Sequence, residues 1–142
     1  MIESYSENVI ESAVHQRCAD STTLSNLINL EQIFTGTQIH RKLPCISIQR
    51  KNARPLFVTN LGVSVDEAYF VFEVRHTSYE IASVIVTEIK NLFDAAVWES
   101  SENSGLILRS EIAENDAIQR EDATWEWGIT MRIRLLHMAD FE

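Results

Sequence analysis

Between Thr124 and His137 the chain reads TWEWGITMRIRLLH, with Trp125, Trp127, Ile129, Met131, Ile133 and Leu135 recurring at strict period two. Glu126, Gly128, Thr130, Arg132 and Arg134 take the alternate positions. Residues two apart share a face of a strand but not of a helix, so the stretch is a half-buried β-strand. Large side chains pointing one way must be covered. At about 1.5–3 kcal/mol for each buried side chain, this face is worth on the order of 10 kcal/mol before entropy is subtracted. The chain therefore needs a sheet with something packed on one side of it, and Trp125 and Trp127 are expected in the core beneath a helix. A stacking platform for nucleic acid is the weaker alternative, since it needs exposed aromatics with bases nearby.

At 142 residues the chain fits one domain, 1–142, large enough to bury about two-thirds of its unfolded surface around one core. An apolar fraction of 45% with 23% charged residues is that of an ordinary globular protein. The N-terminal MIESYSENVIES carries acids where a signal peptide needs bases. Its most apolar stretch, Ile81 to Trp98, is interrupted by Ser83, Thr87, Glu88, Lys90, Asn91 and Asp94, so no membrane span is expected. Cys18 and Cys45 have no CxxC or Cys/His spacing around them. They are expected as small buried residues, with a disulfide or metal site as the alternative. The net charge is −9, from 21 acids against 12 bases. A broad nucleic-acid surface needs clustered bases, so the chain is a poor candidate for gripping DNA. An acidic balance suits a conduit through which DNA slides without sticking, and it serves solubility equally well.

Residues Ser6 to about Asp20 carry Val9, Ile10, Ala13, Val14 and Arg17 at helical spacing. Leu24, Leu27, Ile28 and Leu30 predict further helical turns, ended by Gly36. Lys42 to Lys51 is strand-like, and Pro44 restricts it to an edge or to the strand's beginning. Gln49 to Asp66 is the least regular part; Leu61, Val63 and Val65 beside Asn60-Leu61-Gly62 suggest a projecting hairpin or arm. Ala68 to His76 is a clear strand. Thr77 and Glu80 have the spacing of a capping box, opening a helix from 78 to about 98 with a stripe of Ile81, Ile85, Ile89, Leu92, Phe93 and Ala96. ESSENS at 99–104 and Gly105 form a turn, Leu106, Leu108 and Ile112 predict a strand, and Glu114 to Ala123 is an acidic loop into the terminal strand at 124–137. The order is α-β-(hairpin)-β-α-β-β, with two main helices and about four to five strands.

Chemistry is sparse. The glycines Gly36, Gly62, Gly105 and Gly128 stand too far apart for a P-loop or a dinucleotide fingerprint, and no GxSxG, HExxH or EF-hand pattern exists. His15, His40, His76 and His137 lie on separate elements; His76, beside Thr77 and Tyr79, is the one to inspect. No catalytic, metal or cofactor site is predicted, and no cofactor. Arg50, Lys51 and Arg54 either solubilise a strand end or meet an acidic patch or nucleic acid. Arg132 and Arg134 have Glu73 or Glu111 on adjoining strands as candidate partners. The apolar arm 56–65, with Leu56 and Phe57, either folds back on the core or buries itself against another subunit.

The N-terminal helix, the LPCISI strand, a strand ending FEVRHTSYE that opens into a long helix, then GLILRSEI and an aromatic last strand together resemble a known family. It is the tail-completion proteins of long-tailed bacteriophages, also called tail terminator or head–tail joining proteins. The resemblance spans roughly Glu11 to His137. It implies an α/β (α+β) domain with a mainly antiparallel sheet and helices on one face, assembling into a ring, usually hexameric, that caps the tail tube. The implied partners are other copies of the chain, the tail tube protein and the head-completion or connector protein. DNA passes through the ring without sequence recognition, no membrane is involved, and the place is the tail or neck of a virion or prophage particle made in the host cytoplasm. A closed ring needs two different patches. The candidates are the arm 50–65, with Arg50, Lys51, Arg54, Leu56 and Phe57, and the acidic tip, with Glu114, Asp116, Glu121 and Asp122. Another neck or minor tail protein, or a small-molecule-binding or hydrolytic α+β domain using a cavity between helix and sheet, are the alternatives.

Overall fold

The computed structural model describes residues 2–36, 42–58, 63–99, 107–120 and 123–138. Helices α1 (Ile2–Ala19) and α2 (Thr22–Leu27) and a 3-10 turn at Leu30–Gln32 precede strands β1 (Ile33–Thr35), β2 (Cys45–Val58) and β3 (Val63–His76). Helix α3 (Tyr79–Phe93) leads to β4 (Ala96–Glu99), β5 (Ile107–Gln119) and β6 (Trp125–Met138). The strands form one sheet in the order β1-β2-β3-β6-β5-β4, antiparallel except for the β1–β2 pair. It is the mixed α+β fold that the alternating strands and the amphipathic helix require.

The period-two pattern of β6 sets the centre. Ile129, Met131 and Ile133 lie opposite Phe72, Phe70 and Ala68 of β3, and all are fully buried. Ile48 and Ile46 of β2 extend the same face. From the other side α3 contributes Ala82, Ile85, Val86, Ile89 and Phe93 to this core. Ile81, expected on that stripe, is 40% exposed. The helix is rolled so that Ala82 and Val86 face inward, because the small Ala82 permits a closer approach of helix to sheet. Helix α1 adds Ile10, Ala13, Val14 and Cys18, and α2 adds Leu24.

Three boundaries differ from the sequence-based expectation. Ser78, not Thr77, caps α3, its hydroxyl accepting from the Ile81 N–H at 3.2 Å. The helix ends at Phe93, and residues 96–98, expected as its last turn, form β4 together with Glu99. Ala95 at φ 52 reverses the chain there, a conformation that apolar periodicity does not encode. The described parts of Gln49 to Asp66 are strand, 49–58 in β2 and 63–66 in β3, and so is 114–119, which belongs to β5. Register shifts between Arg50 and Asn52, between Pro55 and Phe57, and between Ile112 and Asn115 interrupt the alternation and hide the strands. The Asn60-Leu61-Gly62 turn, residues 100–104 of ESSENS, Gly105, Leu106 and His40 lie outside the described residues.

Helix α3 ends in a dense polar contact. The Arg17 Nε donates to the Leu92 carbonyl at 2.8 Å, and its guanidinium lies 4.9 Å from the Trp98 ring centroid and 5.8 Å from that of Phe93. Ser110 Oγ donates to the Phe93 carbonyl at 2.7 Å and accepts from the Trp98 indole N–H at 3.1 Å. Carbonyls that the last helical turn leaves without a partner are thus satisfied, with a cation placed at the negative end of the helix dipole.

Helix α3, at about 22 Å, is roughly half as long as the strands it covers. On β3 and β6 the last described core residues are Ala68 and Ile133, and the next inward position of β3 is Asp66, while Trp98 of β4, in the row of Leu108 and Leu135, still belongs to the core. Strands β3 and β6 nevertheless pair on to Val63 and Met138, roughly 17 Å further at about 3.3 Å per residue.

Phe93→Ala is expected to lower unfolding free energy by about 3–5 kcal/mol and Arg17→Ala by about 1–3 kcal/mol. Val97→Ala, at a 68% exposed site, should change it by less than about 0.5 kcal/mol; urea denaturation checks all three. Burial pushes the Cys18 thiol from 9.0 up to about 12. An unfolded chain loses that proton first, so this contribution is intact below about pH 9 and is lost as pH climbs towards 12. Cys18→Val should flatten the alkaline decline in stability, read from denaturation midpoints between pH 8 and 11.

Candidate functional site

The arm and the acidic tip come from opposite ends of the sheet. β2 runs from Cys45, paired with Arg75, to Val58, paired with Ser64, and Val63 of β3 lies opposite Met138 of β6. β5 runs the other way, from Ile107 opposite Leu136 to Gln119 opposite Trp125. The tip between β5 and β6 therefore lies at the far end from the β2–β3 hairpin, about 45 Å away along strands of this length. They cannot meet within one chain.

The three bases of the arm do not form one patch. Arg50 lies in the inward row of Phe70 and Met131, and its Nε is 3.1 Å from Glu11 Oε1 of α1. Lys51 is exposed at the first register shift, its Nζ donating to Gln49 Oε1 at 3.1 Å. With Thr35 and Gly36 these residues line an open groove. Arg54 falls in the register row of Glu67, Arg134 and Arg109. Leu56 is 37% exposed, and Phe57 stands opposite Val65. Of the acidic residues, Glu114 falls in the register shift of β5 and Asp116 stands opposite Gly128. Glu121 and Asp122 lie outside the described residues.

The face of the sheet away from the helices is laced with ion pairs. Arg132 Nη2 donates to Glu111 Oε2 at 2.8 Å, and this carboxylate raises the Arg132 pKa above its ordinary value. Arg134 Nε lies 3.4 Å from Oε2 of Glu67, a residue only 3% exposed. Arg75 and Arg120 both reach Glu126, at 3.5 and 2.7 Å. These guanidiniums balance carboxylates of their own sheet and so do not form a basic surface for phosphate.

At the tip end, Trp125 and Trp127 are half-buried, not enclosed in the core as expected. Trp127 packs against the edge of the core, and Tyr79, the first residue of α3, lies over both, with its ring 4.8 Å from Trp125 edge-on and 5.3 Å from Trp127 in a stack. His76 Nδ1 accepts from the Ser78 N–H at 2.9 Å, and burial lowers its pKa. Among the described residues no group of three or more His, Cys, Asp or Glu is placed to hold a metal, and no helix is long and apolar enough to cross a membrane. Both cysteines are buried, and neither is in a disulfide.

No protein family and no curated protein sequence matches this chain. Among solved structures, it is similar to a chain in a structure described as the virion of a native gene transfer agent (GTA) particle. The TM-score is 0.65 at 13% identity, over 89% of this chain and 94% of that chain. The two share a fold.

The sequence pointed to the arm and the tip but missed the outer edges of β2 and β5, because it did not extend either strand to its full length. It also missed Arg17, whose helical spacing gave no sign of a contact across the fold to Leu92. His76 is expected to be neutral at pH 7. Its protonation would remove the acceptor of the Ser78 N–H, so its contribution to stability is present above about pH 6.5 and lost as pH falls through the lowered folded pKa. An NMR titration should give His76 a midpoint below that of a free histidine, with Tyr79 and Trp125 signals moving in the same step.

Proposed function

We propose that this protein is a structural component of a virion, acting as a tail terminator: a closed ring of copies, hexameric by the family resemblance, seated on the end of the tail tube. The likeness over nearly the whole length of both chains to a chain of a virion particle carries this reading. Two further features support it. Strands β3 and β6 pair on past Ala68 and Ile133, and stretches of opposite charge lie towards opposite ends of the sheet, as contacts between two different patches around a ring require.

On this reading the ring stops tube growth and offers its other surface to the head-completion or connector protein, while DNA passes through the centre. The work is mechanical and no bond is made or broken. The net charge of −9 suits a passage that must not hold phosphate. The same structural likeness also supports a second position, another neck or minor tail component of this fold.

Electron microscopy of tail tubes polymerised with and without the protein separates the two. A terminator gives tubes of bounded length with density on one end; tubes that grow without limit in its presence overturn the terminator position. Replacing Arg50, Lys51 and Arg54 together by Glu is expected to abolish ring assembly with the fold intact by circular dichroism, and unchanged assembly would remove the arm from the interface.

A further inference from the structure

Both outer edges of the sheet are covered only in part. β1 pairs with β2 at Ile46–Ile48, and β4 pairs with β5 at Ile107–Ser110. Just past β4, the Ile112 N–H is taken by Asp94 Oδ1 at 3.1 Å. Among the described residues, no strand pairs with the outer edge of β2 over Lys51–Val58 or with that of β5 over Ala113–Gln119. The two open stretches are similar in length. They lie at opposite ends of opposite edges, and they carry opposite charge: Lys51 and Arg54 on one, Glu114 and Asp116 on the other.

We propose that these edges pair with each other between neighbouring copies, β2 of one antiparallel to β5 of the next, with Arg54 opposite Asp116. The inference rests on the ring reading above and specifies its interface. β2 and β5 run in opposite directions within the sheet, so copies related by rotation about a ring axis bring them together antiparallel. Arg54 lies in the row of Glu67 and Arg134, and Asp116 in the row of Gly128, so the two are six rows apart along β6. An even offset keeps the helix-bearing face of one copy continuous with that of the next.

The short edge strands fit this offset. Gln119, in the row of Trp125, moves up to the row of Met131, Phe70 and Arg50, just beyond the Ile48 row where β1 ends. At the other end Ser110, the residue where β4 begins to cover β5, falls past the row of Val58. β1 with Gly36, whose N–H is bonded to the Ile48 carbonyl, and β4 with Asp94, bonded to the Ile112 N–H in the row that would face Val58, thus bound the joint on either side. Six rows at about 3.3 Å set against four strands at about 4.8 Å give a strand tilt of about 45°, at the upper end of the range in which sheets close into barrels.

Pro55 removes one donor from the β2 edge, and Lys51 and the register shifts blunt both edges against indiscriminate pairing. Opposite charge on the β5 edge selects one partner among many.

Two experiments test this pairing by negative-stain microscopy and sedimentation. Arg54→Asp and Asp116→Arg alone should each reduce assembled rings roughly tenfold or more, since the pair repeats at every interface, and together they should restore them. Independently, Asn52→Cys with Ile118→Cys places the two thiols opposite each other, and Cys18 and Cys45 are buried and do not compete. A short thiol crosslinker should then give a ladder of covalent oligomers that neither single variant gives. Rings that persist without such a ladder, or a double charge reversal no better than either single one, overturn the edge pairing and leave the ring reading standing. Wild-type protein that forms no ring, with or without tail tubes, overturns both.

Discussion

The fold depends on how α3 is held across β3 and β6. Their inward rows, Phe70 with Met131 and Phe72 with Ile129, present a face that water cannot be allowed to reach, and α3 is the element long and apolar enough to cover it. Phe93 fixes where the helix stops. Its ring lies 5.4 Å from Phe72 and 5.8 Å from Trp98, and the carbonyls around it are taken by Arg17 and Ser110. One turn of helix thereby ties α1, α3, β3, β4 and β5 together. The reversal at Ala95 follows, and it places β4 on the edge of the sheet.

A cover of that length cannot reach the ends of strands of 13 and 14 residues. Such strands are more than twice the usual length for a globular domain. Beyond Ala68 and Ile133 the described core continues only at Trp98 of β4, and at the other end Tyr79 spans Trp125 and Trp127. The ion pairs Arg132–Glu111 and Arg134–Glu67 hold the outer face in register without adding apolar cover.

Much of this was legible in the sequence. Strict alternation in β6 and in β3 from Ala68 to His76 gave those strands, and Ile85, Ile89 and Phe93 gave the helix that covers them. The expectations for Arg132, whose partner is Glu111, and for buried Cys18 and Cys45 came from pairing rules and composition. What escaped did so for identifiable reasons. One extra residue at a bulge inverts the alternation, so β5 past Ile112 reads as an acidic loop and β2 past Arg50 as an irregular arm. Ala96 and Trp98 happen to continue the helical stripe of α3, and only the backbone of Ala95 shows that the chain has turned. For the candidate interface, composition marked two stretches. It could not show that they are outer edges, since that follows from strand order and not from residues along the chain.

Hydrogen exchange on the protein alone and on the protein bound to the ends of purified tail tubes tests this account most directly. The account predicts that assembly protects the backbone amides of Lys51–Val58 and Ala113–Gln119, Pro55 having none, while those of α1 and α3 change little. Protection confined to the helices, with both edges exchanging as before, would contradict it.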